Sequence, residues 1–471
     1  MNLTLEQQQI LTHVQNNSGL TLIDSVAGSG KTTMLVAIAN AISHKNGLYL
    51  AYNKAIAVEA SHKFPKTTNC STTHSLAYQA TVKQYKLKLG NFNYKNITEK
   101  IKYEQKLDIL DNIREFCLSK YTNFQNYSQA KNLTRSTEVL CIKYLDLMET
   151  GKIECTHDFY LKLFHILLSK GNITYNNFDF IMLDEAGDLN EVTLEIFRLL
   201  PATRKIAVGD PFQNIYTFNH TINCFKELKN EGTLFRMSQS FRVADFIAKK
   251  IEKFSKKYLD LDMSFKGITV KDTTIKTKGY LTRTNGALIS KMIELEQQGI
   301  EFGLVRKASE IFKLPLMLCS LKYQGFITEP AYKHIQVDVN DWHESPELKH
   351  QYKSPLSYLG RLYMDDMQLM QAIRLIQRYG IATVLSTYKE ARKHEKSKQS
   401  YILATAHSCK GMEFDEVTIA SDLNDSVESI KQAIDTGKSL DSLVTSEQES
   451  LNLYYVAVSR SKKSLINAIH L

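Results

Sequence analysis

Asp24-Ser25-Val26-Ala27-Gly28-Ser29-Gly30-Lys31-Thr32-Thr33 is the stretch that decides how this chain is read. Before it, Leu20-Thr21-Leu22-Ile23 has the length and apolarity of a buried strand. After it, Met34-Leu35-Val36-Ala37-Ile38-Ala39 reads as a helix. A glycine-rich turn between a strand and a helix is the setting of a phosphate-binding loop. Gly28 and Gly30 let backbone N–H groups turn inward toward phosphate oxygens, and the helix N-terminus adds partial positive charge. Lys31 has the reach for the β- and γ-phosphates of ATP, and the Thr32 hydroxyl suits Mg²⁺. Ala27, Ser29 and Thr33 complete the loop. The strict pattern has a glycine where this chain has Ser25.

The 471 residues suffice for two to four domains with cores of their own. Lys and Arg number 59 against 50 Asp and Glu, a formal charge of +9 that suits a polyanionic partner. The seven cysteines are scattered and never paired as CxxC, which reads as reduced thiols. Cys155-Thr156-His157 comes nearest to a metal pair, but no further cysteines stand at ligand spacing. Met1-Asn2-Leu3-Thr4-Leu5-Glu6 has no signal-peptide core, and no apolar run is long enough for a membrane. The expected setting is cytoplasmic (nucleoid-associated) or nuclear, away from membranes.

Along the chain, Leu3-Thr4-Leu5-Glu6-Gln7 opens a helix through Ile10 and Val14. Gln7 reads either as part of a helix cap or as an amide for the edge of adenine. Further strands end at Tyr52-Asn53-Lys54 and at Thr73-His74. Ligands of open α/β sheets bind beyond such strand ends, so these five residues are candidates for single-stranded nucleic acid, or else ordinary surface loops. From about residue 80 to 157 lysines interleave with aromatics and helical periodicity takes over. The sheet resumes at Phe178-Asp179-Phe180-Ile181-Met182-Leu183, which delivers Asp184-Glu185. Asp184 would hold Mg²⁺ and Glu185 would orient and deprotonate the attacking water. The next strand, Lys205 to Asp210, leads to Gln213, a candidate near the γ-phosphate, and to Tyr216 and Phe218, which suit base stacking or a core. Gln239-Ser240-Phe241-Arg242 reads as the start of a helix, and Lys389 to Ser400 as a charged linker.

This succession resembles UvrD/Rep-type superfamily 1 helicases. The resemblance rests on Leu3-Thr4 with Gln7, Ala27-Gly28-Ser29-Gly30-Lys31-Thr32, Asp184-Glu185-Ala186, and Val208-Gly209-Asp210 with Gln213 and Tyr216. Leu48 to Lys54, Thr73-His74-Ser75-Leu76-Ala77-Tyr78 and Gln239-Ser240-Phe241-Arg242 look closest to the helicase part of F-box DNA helicases, and the expectation is a helicase part without an F-box segment.

The resemblance implies an α/β fold of two RecA-like parallel-sheet domains with two mostly helical insertions. The first domain would be 1–79 with 158–235, and the second 236–305 with 381–471; the insertions would be 80–157 and 306–380. Phe241 would stack on adenine and Arg242 would reach the γ-phosphate. In Thr405-Ala406-His407-Ser408-Cys409-Lys410-Gly411-Met412-Glu413, Thr405 and His407 would touch the DNA backbone. Gly411 and Glu413 would face the nucleotide, Glu413 at its ribose. Arg460 would be the arginine finger. The implied activity is ATP-driven 3′-to-5′ movement on single-stranded DNA by a monomer, with unwinding at single-strand/duplex junctions. The rival readings are a translocase that strips proteins without efficient unwinding and a non-hydrolysing DNA clamp. The family usually has glutamine where this chain has Gly187, so restoring it either improves coupling or destabilises the turn.

Overall fold

The computed structural model describes residues 3–43, 45–175, 178–215, 221–323, 327, 332–364, 366–395 and 399–471. The chain forms two compact units, Met1–Phe241 with Asp262–Lys266, and Arg242–Leu261 with Gly267–Leu471.

In the first unit the strands are β1 (Gly19–Ser25), β2 (Gly47–Ala51), β3 (Thr68–Thr72), β4 (Phe178–Leu183), β5 (Ala202–Gly209) and β6 (Gly232–Met237). They lie in the order β3-β2-β4-β5-β1-β6, and every pairing is parallel. Successive side chains on a strand point to opposite faces, so continuous apolar runs fill two cores at once. Leu22, Leu48, Leu50, Ile181 and Leu183 enter one core. Ile23, Tyr49, Phe180, Met182 and Val208 enter the other. The first core continues into helices Tyr103–Leu118, Arg135–Glu149 and His157–Ser169 through Phe116, Tyr144 and Phe164. The buried Lys162 ties helix His157–Ser169 to the loop after Tyr103–Leu118: its Nζ donates to Ser119 O at 2.5 Å and Tyr121 O at 2.9 Å.

The second unit has a five-stranded parallel sheet of β7 (Lys278–Thr282), β8 (Gly303–Leu304), β9 (Tyr401–Thr405), β10 (Phe414–Ile419) and β11 (Ser461–Ile466). Its order is β8-β9-β7-β10-β11. Leu403 of β9 shares a core with Leu318, Ile335, Leu359 and Ile373 from the helices between β8 and β9. The last of these, Met367–Ala391, is broken at Gly380, where φ is 78°. Among the described residues no helix is long and apolar enough to cross a membrane.

The α/β class and its two parallel sheets agree with the sequence reading. Two local expectations fail. Gln239–Ala244 is a strand, and the helix begins only at Asp245, an acid placed in the first turn where the helix dipole favours it. The supposed linker from Lys389 is helical to Ala391 and continues as a 3₁₀ turn, Arg392–His394, because the buried Ala391 anchors the helix end. Residues 396–398 lie outside the described residues.

Two features at the edge of the first sheet bear on stability. Gly187, in the turn Ala186–Asp188, runs against the end of β5; a Cβ there would lie 2.5 Å from Asp210 O and 3.3 Å from Asp210 C. The obstacle is backbone, which cannot swing aside, so no side chain fits. Gly187→Gln is therefore expected to destabilise by about 1–3 kcal/mol, the usual cost of overpacking; an unchanged melting temperature would contradict this.

Asp24, in β1, lies in register with Gly209 of β5 and Arg236 of β6, and its buried Oδ1 has no hydrogen-bond partner among the described residues. Burial, helped by Asp210 and opposed by Arg236, pushes its pKa up to about 7. The unfolded value is about 3.9, so between the two the folded state holds more protons and stability falls as pH rises. Asp24→Asn should raise the unfolding free energy above neutrality by up to about 4 kcal/mol, read from denaturant or thermal melts, and the gain should vanish near pH ~4. An equal gain at both ends would refute the assignment to this carboxyl.

Candidate nucleotide and nucleic-acid sites

In the first unit the loop after β1 bends at Gly28 (φ 76°) and Gly30 (φ 81°). Both angles lie in the left-handed region that glycine occupies without strain. Gly30 is the N-cap of helix Lys31–Ala41, and no side chain caps it, which suits an N-terminus presented to an anion. Ser25 is tolerated because β1 still pairs with β6 at Met237, and its Oγ donates to Gly209 O at 2.8 Å. Ala27 is buried beneath the turn, while Lys31, Thr32 and Thr33 form the first helical residues.

Gln7 serves as the cap residue and also touches the loop. Its Oε1 accepts from Thr4 N at 3.0 Å, and its Nε2 donates to Ser29 O at 3.4 Å. Phe241 N donates to Gly28 O at 2.8 Å. The Phe241 side chain approaches to 3.8 Å of the place a Gly30 Cβ would occupy, yet the residue is 49% exposed. An exposed aromatic beside a buried amide gives a flat apolar surface next to a hydrogen-bonding edge.

The acid pair stands at the end of β4. Tyr49 OH donates to Asp184 Oδ2 at 2.6 Å, and Glu185 N donates to Asp184 Oδ1 at 2.9 Å. Burial first, then the Glu185 charge, raises the Asp184 pKa; the Tyr49 hydroxyl and Lys31 oppose the rise. Glu185 adopts φ 52°, an uncommon conformation for a residue with a side chain and one often met at functional sites. Its Oε2 lies 3.8 Å from Lys31 Nζ. Lys31, Asp184 and Glu185 are thus brought together. Gln213 is buried nearby in sequence to β5, its Nε2 donating to Asp210 Oδ2 at 2.8 Å.

Beyond the ends of β2 and β3, Tyr52 and Lys54 are exposed. Asn53 caps helix Lys54–Ser61 by accepting from Ile56 N at 2.9 Å. Thr73 is buried. His74 meets the Tyr160 ring edge-on at 5.9 Å, and burial lowers its pKa. Tyr216 and Phe218 lie outside the described residues.

In the second unit, Glu413 is bracketed by two cations. Arg242 Nε lies 3.0 Å from Oε2, and Lys462 Nζ lies 3.1 Å from Oε1. Burial works against the Glu413 charge, but Lys462 and Arg242 prevail and hold its pKa below the usual carboxylate range. Gly411 has φ 87° two residues earlier. Thr405 is buried at the end of β9 with its hydroxyl 3.0 Å from Ser408 Oγ, and His407 Nε2 lies 3.5 Å from Glu449 Oε1. Arg460 is 1% exposed. Its Nε donates to Val456 O at 3.0 Å and its Nη1 to Met412 O at 3.5 Å.

Sequence reading missed Tyr49, Asp210 and Lys462. Tyr49 sits in an apolar strand, and the only signal was that a buried tyrosine hydroxyl needs a partner. Asp210 was quoted as part of a motif, without a role. Lys462 lies in β11, two residues after Arg460, and nothing local in the sequence marked its pairing with Glu413.

Comparison with known proteins follows the same division. The UvrD/REP helicase N-terminal domain matches residues 3–233, and the UvrD-like helicase C-terminal domain matches residues 212–470. F-box DNA helicase 1 of Gallus gallus is 27% identical over 526 aligned positions, covering 99% of this chain and 49% of the relative. F-box DNA helicase protein 1 of Schizosaccharomyces pombe is 26% identical, covering 98% of this chain and 57% of the relative. The chain spans about half the length of the curated relatives it matches. With the phosphate loop, the acid pair and the two parallel sheets in place, these matches establish that the chain belongs to the UvrD-like helicase family.

Proposed function

We propose that this chain is an ATP-dependent DNA helicase that moves 3′ to 5′ on single-stranded DNA as a monomer and opens duplex at single-strand/duplex junctions. The observation that carries the reading is the approach of Lys31 to Glu185 beside Asp184, whose two oxygens are already held by Tyr49 OH and Glu185 N. The names of the relatives, DNA helicases both, point the same way.

In this reading Gly28, Ser29, Gly30, Lys31 and Thr33 cradle the phosphates, with Ala27 beneath. Thr32 and Asp184 supply hard oxygen ligands of the kind Mg²⁺ takes, and the bound ion would offset charge on the β- and γ-phosphates. Glu185 accepts the proton of the attacking water. Gln213, held by Asp210, answers to the γ-phosphate. Arg242 and Arg460 stabilise charge as the terminal phosphoryl group departs, a role that requires Arg460 to leave the carbonyls it now binds. Gln7 and Phe241 receive adenine, while Gly411 faces the nucleotide and Glu413 its ribose. Tyr52, Asn53, Lys54, Thr73 and His74 in the first unit and Thr405 and His407 in the second contact DNA, as do Tyr216 and Phe218, which lie outside the described residues. Residues 80–157 and 306–380 are the two insertions.

The test is strand separation on duplexes carrying a single 3′ or 5′ tail, run beside displacement of streptavidin from biotinylated single strands. The 3′-tailed duplex should open with ATP and the 5′-tailed one should not. The opposite preference would overturn the polarity. Streptavidin release without strand opening would replace the helicase reading with a stripping translocase, and an absence of ATP turnover would leave only a clamp.

A further inference from the structure

Glu413 stands just before β10, and Lys462 is the second residue of β11. Phe414 of β10 is in register with Ser461 of β11, and Phe414 N donates to Arg460 O at 3.0 Å. Between that pair and the next, Glu416 with Ser464, β11 carries one extra residue. Bulges of this kind re-aim side chains at the edge of a site. Here two adjacent lysines go to different partners. Lys463 Nζ donates to Thr274 O at 2.8 Å and lies 3.5 Å from Asp415 Oδ1, which ties β11 to the segment before β7. Lys462 Nζ instead donates to Glu413 Oε1 at 3.1 Å.

The other oxygen of Glu413, Oε2, accepts from Arg242 Nε at 3.0 Å. Each cation has an oxygen of its own, so the three side chains form a chain of contacts, Lys462 to Glu413 to Arg242. A carboxylate has about four lone-pair positions. A ribose hydroxyl can therefore join Glu413 without displacing either cation. Lys462 has been given no part in the reaction above.

We propose that Lys462 is a positioning residue for ATP hydrolysis: it fixes Glu413 through Oε1, and Glu413 in turn fixes the plane of the Arg242 guanidinium through Nε. The proposal rests on the ATPase reading above and adds a residue to it. Arg242 is the group that would stabilise charge on the departing phosphoryl group, and such stabilisation depends on a guanidinium held in place beforehand. The side chains of Lys462, Glu413 and Arg242 are 33%, 46% and 19% exposed. Ion pairs this open to water add little to stability. The loss of Lys462 is thus read in the rate and not in the melt.

The test is DNA-stimulated phosphate release by the full chain over a range of ATP concentrations. The variants are Lys462→Met, Lys462→Arg, Glu413→Ala and the double variant of Lys462→Met with Glu413→Ala, each with a thermal melt. Lys462→Met should lower kcat about three- to tenfold, the coupling expected of one shared charge network. Its KM for ATP and its melting temperature should stay where they are. Lys462→Arg keeps a cation for Oε1 and should restore the rate. In the Glu413→Ala background, Lys462→Met should cost nothing further, because the link it acts through is gone. If Glu413→Ala turns over too slowly to compare, Lys462→Arg against Lys462→Met decides. An undiminished kcat in Lys462→Met, a loss confined to KM, the same loss without Glu413, or a Lys462→Arg as slow as Lys462→Met would overturn the proposal and leave the ATPase reading standing. A Lys462→Met chain that fails to fold would make Lys462 a structural residue and overturn it too. No DNA-stimulated turnover by the unaltered chain would overturn the ATPase reading, and the proposal with it.

Discussion

Parallel pairing is the constraint on which the chemistry of the first unit depends. When every strand runs the same way, every strand ends on the same edge. Leu50 lies opposite Leu183, Leu183 opposite Ala207, and Val208 opposite Ile23. That register fixes the departure point of each loop. It sets the phosphate loop after β1, Tyr52 after β2, Asp184 and Glu185 after β4, and the Gln213 turn after β5. None of these side chains contributes much to the core; the apolar runs behind them do. A one-residue slip in β4 would exchange its two faces, sending Ile181 and Leu183 toward the wrong core and misplacing the acids.

Charge has been brought into this edge at a cost in stability. Asp24 and Asp184 both protonate more readily than ordinary carboxyls, in each case chiefly because burial disfavours their charge. Asp184 is compensated by the Tyr49 hydroxyl and by Lys31. Asp24 has Arg236 and a backbone hydrogen bond from Ser25 to set against burial and Asp210, and they do not offset them. The contrast separates the two. Asp184 is oriented on both oxygens, as a group prepared for a ligand must be, whereas Asp24 has an oxygen with no partner among the described residues. Close backbone approach adds a second restraint, since Gly187 and Gly209 leave no space for a Cβ between the ends of β4 and β5.

The elements that could be read from sequence were those whose signal is local. Phe180 to Leu183 is a continuous apolar run because both faces of its strand are buried, and the strand Phe178–Leu183 was found to the residue. The phosphate loop declared itself through glycine spacing. What escaped depends on neighbours far away in sequence. Nothing local in Gln239 to Ala244 marks it as a strand. The inward packing of Arg460 against Val456 O and Met412 O depends on the helix before it and the loop before β10. The tight space at Gly187 is set by the Asp210 carbonyl, a group no alignment of side-chain types reveals.

The account turns on whether the cluster of Lys31, Asp184 and Glu185 hydrolyses ATP in response to DNA. The direct measurement is phosphate release with and without single-stranded DNA, for the unaltered chain and for Glu185→Gln, with nucleotide binding followed in parallel. Single-stranded DNA should raise turnover severalfold or more, and Glu185→Gln should abolish turnover while still binding ATP, since a general base is worth about 10²–10⁴ in rate. Turnover indifferent to DNA, or undiminished in Glu185→Gln, would contradict it.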